Sequence, residues 1–132
     1  MFVDTSVFVA ILAGEADAEL FALKLAAADE RYTSGLVILE ASMRLSSLLQ
    51  IDPREVETHI ARILQEAKIE VVAIDAAIAR QAVAAFAAYG KGRGHPAQLN
   101  LADCMSYACA RARQLPLLFK GDDFRRTDIE AA

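Results

Sequence analysis

The stretch from Phe2 to Leu12, FVDTSVFVAIL, places a very short apolar strand directly before a helix. Phe2 to Asp4 has the composition of a strand and its end. Thr5-Ser6 is typical of the first positions of a helix, and the apolar residues from Val7 to Leu12 predict a short helix. A strand that passes at once into a helix is typical of proteins in which helices cover a parallel sheet.

This alternation continues along the chain and predicts one α/β domain. The interpretation rests on helix-start residues, on apolar residues at helical spacing and on short β-branched runs. Predicted helices cover residues 17–29, 36–49, 53–68, 76–89 and 100–114, and predicted strands cover 31–33, 69–74 and 116–119. The order predicts a parallel sheet of four to five short strands with helices on both faces. The chain of 132 residues shows no repeat or linker, so residues 1–132 form a single domain.

Composition sets limits on the partners of this protein. Hydrophobic residues make up 55% of the chain and charged residues 24%, which indicates a folded protein. The formal net charge of −4 excludes a surface that attracts nucleic acid over its whole area. Contact with RNA would require a local basic patch or a bound cation.

The cysteines and the first apolar run indicate a cellular compartment. Cys104 and Cys109 are five residues apart, so on a helix they point about 140° away from each other and form no local bridge. We expect reduced, buried thiols, which favour the cytoplasm. The run from Val7 to Ala13 is too short to cross a bilayer, and no basic segment precedes it. We therefore expect a soluble cytoplasmic protein without membrane association.

Acidic residues stand at the ends of several predicted elements. Asp4 ends the first strand, and Glu40 lies one turn into the helix after the second strand. Asp103 lies in the first turn of the helix before the last strand, and Asp122 and Asp123 follow that strand. Ligands of such sheets bind beyond the carboxyl ends of the strands. We expect these carboxylates to meet at one edge of the sheet.

The neighbours of these acids are mainly apolar, which limits what the carboxylates do. Glu40 and Asp103 are each surrounded in sequence by leucine, valine, methionine or cysteine. A buried carboxylate must be protonated, paired or bound to metal. Several carboxylates without an obvious basic partner predict a site for Mg²⁺, for which Mn²⁺ substitutes.

Each acid also has a purely structural explanation. Asp4 is placed to cap the first helix. Glu40 is four residues before Arg44, the spacing of a helical ion pair. Asp103 is three residues after Asn100 and would complete a capping box. The two acids after the last strand have the composition of a turn.

Three motifs resemble those of the PIN-domain ribonucleases, and most closely those of the VapC toxins of bacterial toxin–antitoxin pairs. The first is FVDTS at Phe2 to Ser6, followed by the helix that carries Glu40. The second is G-H-P-A-x-L-N-x-x-D-C-x-x-Y-A, from Gly94 to Ala108. The third is PLLFKGDDF followed by TDI, from Pro116 to Ile129. The resemblance covers essentially the whole chain.

The resemblance implies the residues of a metal site. Asp4, Glu40 and Asp103 match its acidic positions, and Asp122 matches the fourth, with Asp123 as the alternative.

Other positions match residues that support such a site. Ser6 matches a hydroxyl beside the acids, and Asn100 matches a polar residue there. Ala102 departs from the pattern, because close relatives often have glycine at this position, which leaves the local packing before Asp103 open.

The family further implies an activity and partners. The expected function is that of a Mg²⁺-dependent endoribonuclease toxin that cleaves structured RNA such as tRNA or rRNA. A VapB-like antitoxin would silence it, in a homodimer or a toxin–antitoxin hetero-oligomer. Its helices at 18–28 and 76–88 would offer an apolar groove. Lys91, Arg93, Lys120 and Arg125 flank the later motifs and are candidates for RNA phosphates, or else solvated loop charges.

Two other classes of function compete with this interpretation. A phosphoaspartate hydrolase with Asp4 as nucleophile would need a second acid two residues later, where Ser6 stands. A non-catalytic module, receiver-like or partner-binding, would explain Lys120 after the last strand. A receiver, however, needs paired acids near the first strand, and Asp4 stands alone.

Overall fold

The computed structural model describes residues 1–132 and contains four parallel strands and six α-helices in the predicted order. The strands are β1 (Phe2–Val3), β2 (Tyr32–Ser34), β3 (Glu70–Val72) and β4 (Leu117–Leu118). The helices are α1 (Thr5–Leu12), α2 (Ala18–Ala27), α3 (Gly35–Leu49), α4 (Pro53–Glu66), α5 (Ala76–Tyr89) and α6 (Leu101–Ala112). A short 3-10 turn follows at Phe124–Arg126.

The order of strands across the sheet is β3-β2-β1-β4, and every pairing is parallel. Phe2 pairs with Tyr32 on one side and with Leu117 on the other. The chain runs outward from β1 through β2 to β3 and then returns to the opposite side of β1. The strand order therefore reverses at β1, the position at which α/β sheets form ligand sites.

The residues of β1 and β4 form the centre of the core. Phe2, Val3, Leu117 and Leu118 are all at most 1% exposed. Adjacent residues of a strand point to opposite faces of the sheet, so both faces are covered here, as predicted. At the edge of the sheet, β3 exposes Glu70 and Val71.

The C-terminal tail continues the sheet beyond β4. Leu117 donates its backbone N–H to Glu130 O (2.8 Å) and accepts from the backbone N–H of Ala132 (2.9 Å). Lys24 of α2 holds the end of this tail, because its Nζ donates to Ala132 O at 2.6 Å. The tail therefore fixes the outer side of β4.

Element ends differ from the predictions by a few residues. The helix predicted for 53–68 ends at Glu66, because Lys68 adopts a left-handed backbone with φ of 50°. Ile69 then donates to Leu64 O (2.8 Å) and closes the helix, which shortens the following strand to Glu70–Val72. The cysteines are free and buried, as predicted. None of the helices is both long and apolar enough to cross a membrane.

Candidate active site

Asp4 is the buried acid at the point where the strand order reverses. Its side chain is 4% exposed, and its backbone N–H donates to Leu118 O (3.0 Å), which joins it to β4. Its Oδ2 accepts from the backbone N–H of Ser6 (3.0 Å) and from Ser6 Oγ (2.7 Å) and so caps α1. Its Oδ1 is buried and has no hydrogen-bond partner. An orphaned carboxylate oxygen of this kind is costly unless a cation binds it.

Asp103 and Asn100 form the capping box at the start of α6. Asp103 Oδ2 accepts from the backbone N–H of Asn100, and Asn100 Oδ1 accepts from the backbone N–H of Asp103, both at 2.9 Å. The structural explanation of Asp103 is therefore correct. It does not exclude a second role, because the cap engages only one of the two carboxylate oxygens.

Glu40 reaches the same cleft from α3. The buried hydroxyl of Thr5 donates to Glu40 Oε2 and turns this carboxylate toward α1. The alternative ion pair with Arg44 is absent from the structure, whose salt bridges involve other residues. Thr5 on α1 therefore positions the acid of α3.

The acids share one cleft and influence each other electrostatically. The cleft has a volume of about 340 Å³ and is lined by Asp4, Glu40, Asp103 and Asp123 among others. Burial raises the pKa of Asp103 from 3.8 to about 6, and the hydrogen bond from the Asn100 backbone opposes this rise. The negative charges of Asp4, Glu40 and Asp123 also contribute to this raised pKa. A carboxyl group in this setting is stabilised by a proton or by a cation.

The structure separates the two acids that follow β4. Asp123 lines the cleft, whereas the Asp122 side chain is 77% exposed and lies 3.9 Å from Arg125. Between β4 and this doublet, Gly121 adopts a φ of 102°, a conformation available to glycine. The backbone turn therefore brings Asp123 to the other acids and leaves Asp122 outside.

The donor set fits a hard divalent cation that retains water ligands. No three carboxylate, imidazole or thiolate groups lie close enough together to bind one ion directly. Asp4 and Asp103 each keep one oxygen without a hydrogen-bond partner. Mg²⁺ commonly binds through one or two carboxylates and keeps several waters, so two such oxygens suffice.

Of the four basic residues predicted to bind RNA, only Lys120 lies in the cleft. Its backbone N–H donates to Ser6 Oγ (2.9 Å), and its Nζ binds Asp17 Oδ1 (2.8 Å) and Glu15 Oε2. The Lys120 amino group is therefore already paired. Outside the cleft, Arg93 lies over the Phe86 ring, Lys91 is exposed in the glycine-rich loop, and Arg125 lies beside Asp122.

The prediction from sequence missed three polar residues of the cleft: Thr5, Glu15 and Arg44. Thr5 stands between two residues that it did identify, and Arg44 was considered only as a partner for Glu40. Helical spacing showed that this pair was possible, but it did not show that the Thr5 hydroxyl turns Glu40 toward α1. For Glu15, in the turn between α1 and α2, the sequence offers no signal.

The helices α2 and α5, which were predicted to offer an apolar groove, have different neighbours, because α2 packs against α1 whereas α5 packs against α6. An apolar depression lies beside α2, with α4 on its other side. Its lining includes Ala22, Leu25, Ile63 and Ala67.

Comparison with known proteins agrees with this fold. The PIN domain family profile matches residues 1–130. Ribonuclease VapC28 of Mycobacterium tuberculosis is 44% identical over 132 residues, covering 100% of this chain and 97% of the relative. Two solved structures share the fold: VapC20 of M. tuberculosis, described as a toxin that cleaves the sarcin-ricin loop, and a toxin-antitoxin complex from Klebsiella pneumoniae.

The structural matches extend over most of each chain. VapC20 matches with a TM-score of 0.76 at 19% identity, covering 99% of this chain and 97% of its own. The Klebsiella protein matches with a TM-score of 0.66 at 21% identity, covering 93% and 88%. One conclusion follows from the parallel sheet, from the profile match along nearly the whole sequence and from the relative of nearly equal length. The chain belongs to the PIN-domain family and, within it, to the VapC toxin ribonucleases.

Proposed function

We propose that this VapC ribonuclease is a Mg²⁺-dependent endoribonuclease whose site is the cleft of Asp4, Glu40, Asp103 and Asp123. The observation that carries the proposal is the buried Asp4 Oδ1, which has no hydrogen-bond partner in the protein. It shares the cleft with Asp103, whose pKa burial raises to about 6. A divalent cation would compensate both carboxylates, and Mn²⁺ would substitute for Mg²⁺.

The residues of this chain would hold the ion and orient the acids. Asp4 and Asp103 would bind it through the oxygens that their helix caps leave free, with Glu40 and Asp123 binding through water. When bound, Mg²⁺ supplies a water of lowered pKa and stabilises negative charge on the phosphoryl oxygens. Ser6 fixes the orientation of Asp4, and Thr5 fixes that of Glu40. Asn100 fixes that of Asp103.

The proposed substrate is structured RNA such as tRNA or rRNA. The cleft is open to solvent at the edge of the sheet and is wide enough to admit a phosphodiester, at about 340 Å³. The free thiols of Cys104 and Cys109 fit the reducing cytoplasm, where such RNA is found.

The proposed partner is a VapB-like antitoxin, in a toxin–antitoxin hetero-oligomer or together with a toxin homodimer. Large apolar side chains that lie exposed in this chain offer a surface for it, among them Leu20, Leu23, Val83 and Phe86.

Substitution of one acid at a time tests the proposed catalytic site. Asp4→Asn and Asp103→Asn remove a negative charge with little change of shape, so both should lower RNA cleavage by at least 100-fold with an unchanged circular dichroism spectrum. EDTA should abolish cleavage by the wild type, and excess Mg²⁺ should restore it. Asp29→Asn, an equal charge change at an exposed position outside the cleft, is the control. Full activity of both cleft variants, or activity in EDTA, would refute the proposed site.

A further inference from the structure

A basic residue that has no ionic partner lies beside the acidic cleft. Arg44 and Lys120 are the two basic residues that line it. The Lys120 amino group binds Asp17 and Glu15, whereas Arg44 is exposed and its guanidinium takes part in no hydrogen bond or salt bridge of the structure. Arg44 is therefore the cation of the cleft that is available to a ligand.

Glu40, the helical neighbour of Arg44, bonds to Thr5 and not to Arg44. A glutamate and an arginine four residues apart on a helix ordinarily attract each other. Here the Thr5 hydroxyl holds Glu40 Oε2 against α1, and Thr5 itself is 1% exposed and fixed. This contact orients an acid of the cleft, and the same carboxylate forms no salt bridge with Arg44.

The charges that line the cleft indicate which ligand the unpaired Arg44 guanidinium would bind. The cleft lining contains five carboxylates and two basic residues, one of which is already neutralised. The carboxylates are those of Asp4, Glu15, Glu40, Asp103 and Asp123. An RNA strand that approaches meets a negative surface on a protein of net charge −4. A phosphate held near this cleft needs a cationic donor, and arginine binds phosphate through two parallel N–H groups.

The surroundings of Arg44 indicate where that phosphate lies. Arg44 also lines a second groove that continues outward from the cleft, together with Val9, Met43 and Leu48. The groove shares Val9, Glu15 and Arg44 with the cleft, so one strand can pass from one to the other. Its apolar wall suits the sugar or base of a nucleotide, and Arg44 stands at the junction of the two.

We propose that Arg44 binds an RNA phosphate adjacent to the scissile one and positions the strand across the acidic cleft. This inference rests on the proposed ribonuclease function and adds to it a residue that recognises substrate. Arg44 acts by holding the strand, so its loss weakens substrate binding more than it slows the chemical step.

Kinetics of Arg44→Gln test the inference, with Arg62→Gln as the matched control. Arg62 is an exposed arginine of α4 outside the cleft, so both variants change the net charge equally. A lost charge-assisted hydrogen bond predicts that KM rises by about 10- to 100-fold in Arg44→Gln, with a smaller change in kcat. Arg44→Lys should recover part of the loss, because lysine keeps the charge but not the paired donors.

Binding measured without cleavage separates this inference from the proposed function. In the Asp103→Asn background, fluorescence anisotropy with a labelled single-stranded RNA gives the salt dependence of Kd. Removal of one phosphate contact should reduce the slope of log Kd against log salt by about 0.7.

If the wild type cleaves RNA and Arg44→Gln matches Arg62→Gln in KM and slope, the inference is overturned and the function stands. If Arg44→Gln weakens only a co-purified antitoxin, Arg44 recognises protein and the inference is likewise overturned.

Discussion

At Asp4 and Asp103, one carboxylate can both cap a helix and bind a cation, because the cap engages only one of its two oxygens. One oxygen caps a helix, and the other has no hydrogen-bond partner in the protein. The sequence presented capping and metal binding as alternatives for each residue. The structure shows that they are compatible, because each helix start holds its own acid in place.

Asp122 and Asp123, the two acids after β4, are predicted to differ in their effect on RNA cleavage. Asp123 lines the cleft and its charge raises the pKa of Asp103, whereas Asp122 is exposed beside Arg125. We therefore expect Asp123→Asn to lower the rate of RNA cleavage by 10-fold or more and Asp122→Asn to change it less than two-fold. The two variants have the same composition and net charge, so each controls for the other. The reverse result would assign the fourth acidic position to Asp122.

The sequence identified this doublet but not the member that enters the cleft. The motif PLLFKGDDF places both acids after a core strand, which is enough to predict that one of them reaches the sheet edge. Which one does so depends on the left-handed turn at Gly121 and on the buried position of Phe124. Neither the turn angle nor that packing follows from residue spacing.

The capping box at the start of α6 contributes both to the stability of the protein and to the orientation of an acid in the proposed site. The Asn100 side chain accepts from the backbone N–H of Asp103, while its own backbone N–H holds the Asp103 carboxylate. The cap thus fixes the rotamer of a proposed metal-binding acid. Loss of this cap should affect cleavage as well as folding.

Two capping variants separate these effects. Asn100→Ala should lower the free energy of unfolding by about 1 kcal/mol and also lower the cleavage rate. Asp75→Ala removes the cap of α5, where Asp75 Oδ1 accepts from the backbone N–H groups of Ala77 and Ile78 outside the cleft. It should lower stability by a similar amount while cleavage at 25 °C is retained. Urea unfolding and initial rates of cleavage provide the comparison, and equal loss of activity in both would assign Asn100 a purely structural role.

Element order was predictable from the sequence, whereas contacts between elements were not. Strands of two or three residues were identified because helix-start residues follow them directly, as at Asp4 and Ser34. The hydrogen bond from Thr5 to Glu40 joins residues 35 positions apart, and no local pattern encodes it. The spacing rule predicted an ion pair between Glu40 and Arg44, and the structure contains the contact with Thr5 in its place.

At the scale of the whole molecule, the acidic cleft makes stability depend on pH and on metal. The pKa of Asp103 is about 6 in the folded protein, against 3.8 as its reference value. The folded state therefore binds a proton more tightly, and the free energy of unfolding falls as pH rises from about 4 through 6. Metal that binds only the folded protein offsets this loss, by about 2.7 kcal/mol at one hundred times its Kd.

Comparison of the wild type with Asp103→Asn isolates this effect from other titrating groups. In EDTA, the variant should be at least as stable as the wild type at pH 7, because the asparagine oxygen keeps the cap and carries no charge. Between pH 4.5 and 7 the wild type should lose stability relative to the variant, as measured by urea unfolding. Mn²⁺ should raise the wild-type melting temperature more than that of Asp103→Asn. Equal gains from Mn²⁺ would show that Asp103 does not bind the metal.

The pairing of β1 with β4 has a consequence for the synthesis of this protein on the ribosome. Ser6, which orients Asp4, is itself bonded to the backbone of Lys120, 114 residues later in the chain. A nascent polypeptide grows at roughly 5 to 20 residues per second, so about ten seconds separate the emergence of these two residues. During that interval the N-terminal acids have emerged, but the strand and turn that complete the cleft do not yet exist. We therefore expect this chain to be unable to cleave RNA while it is translated, and the proposed antitoxin, when already present in the cell, would have that time to meet it.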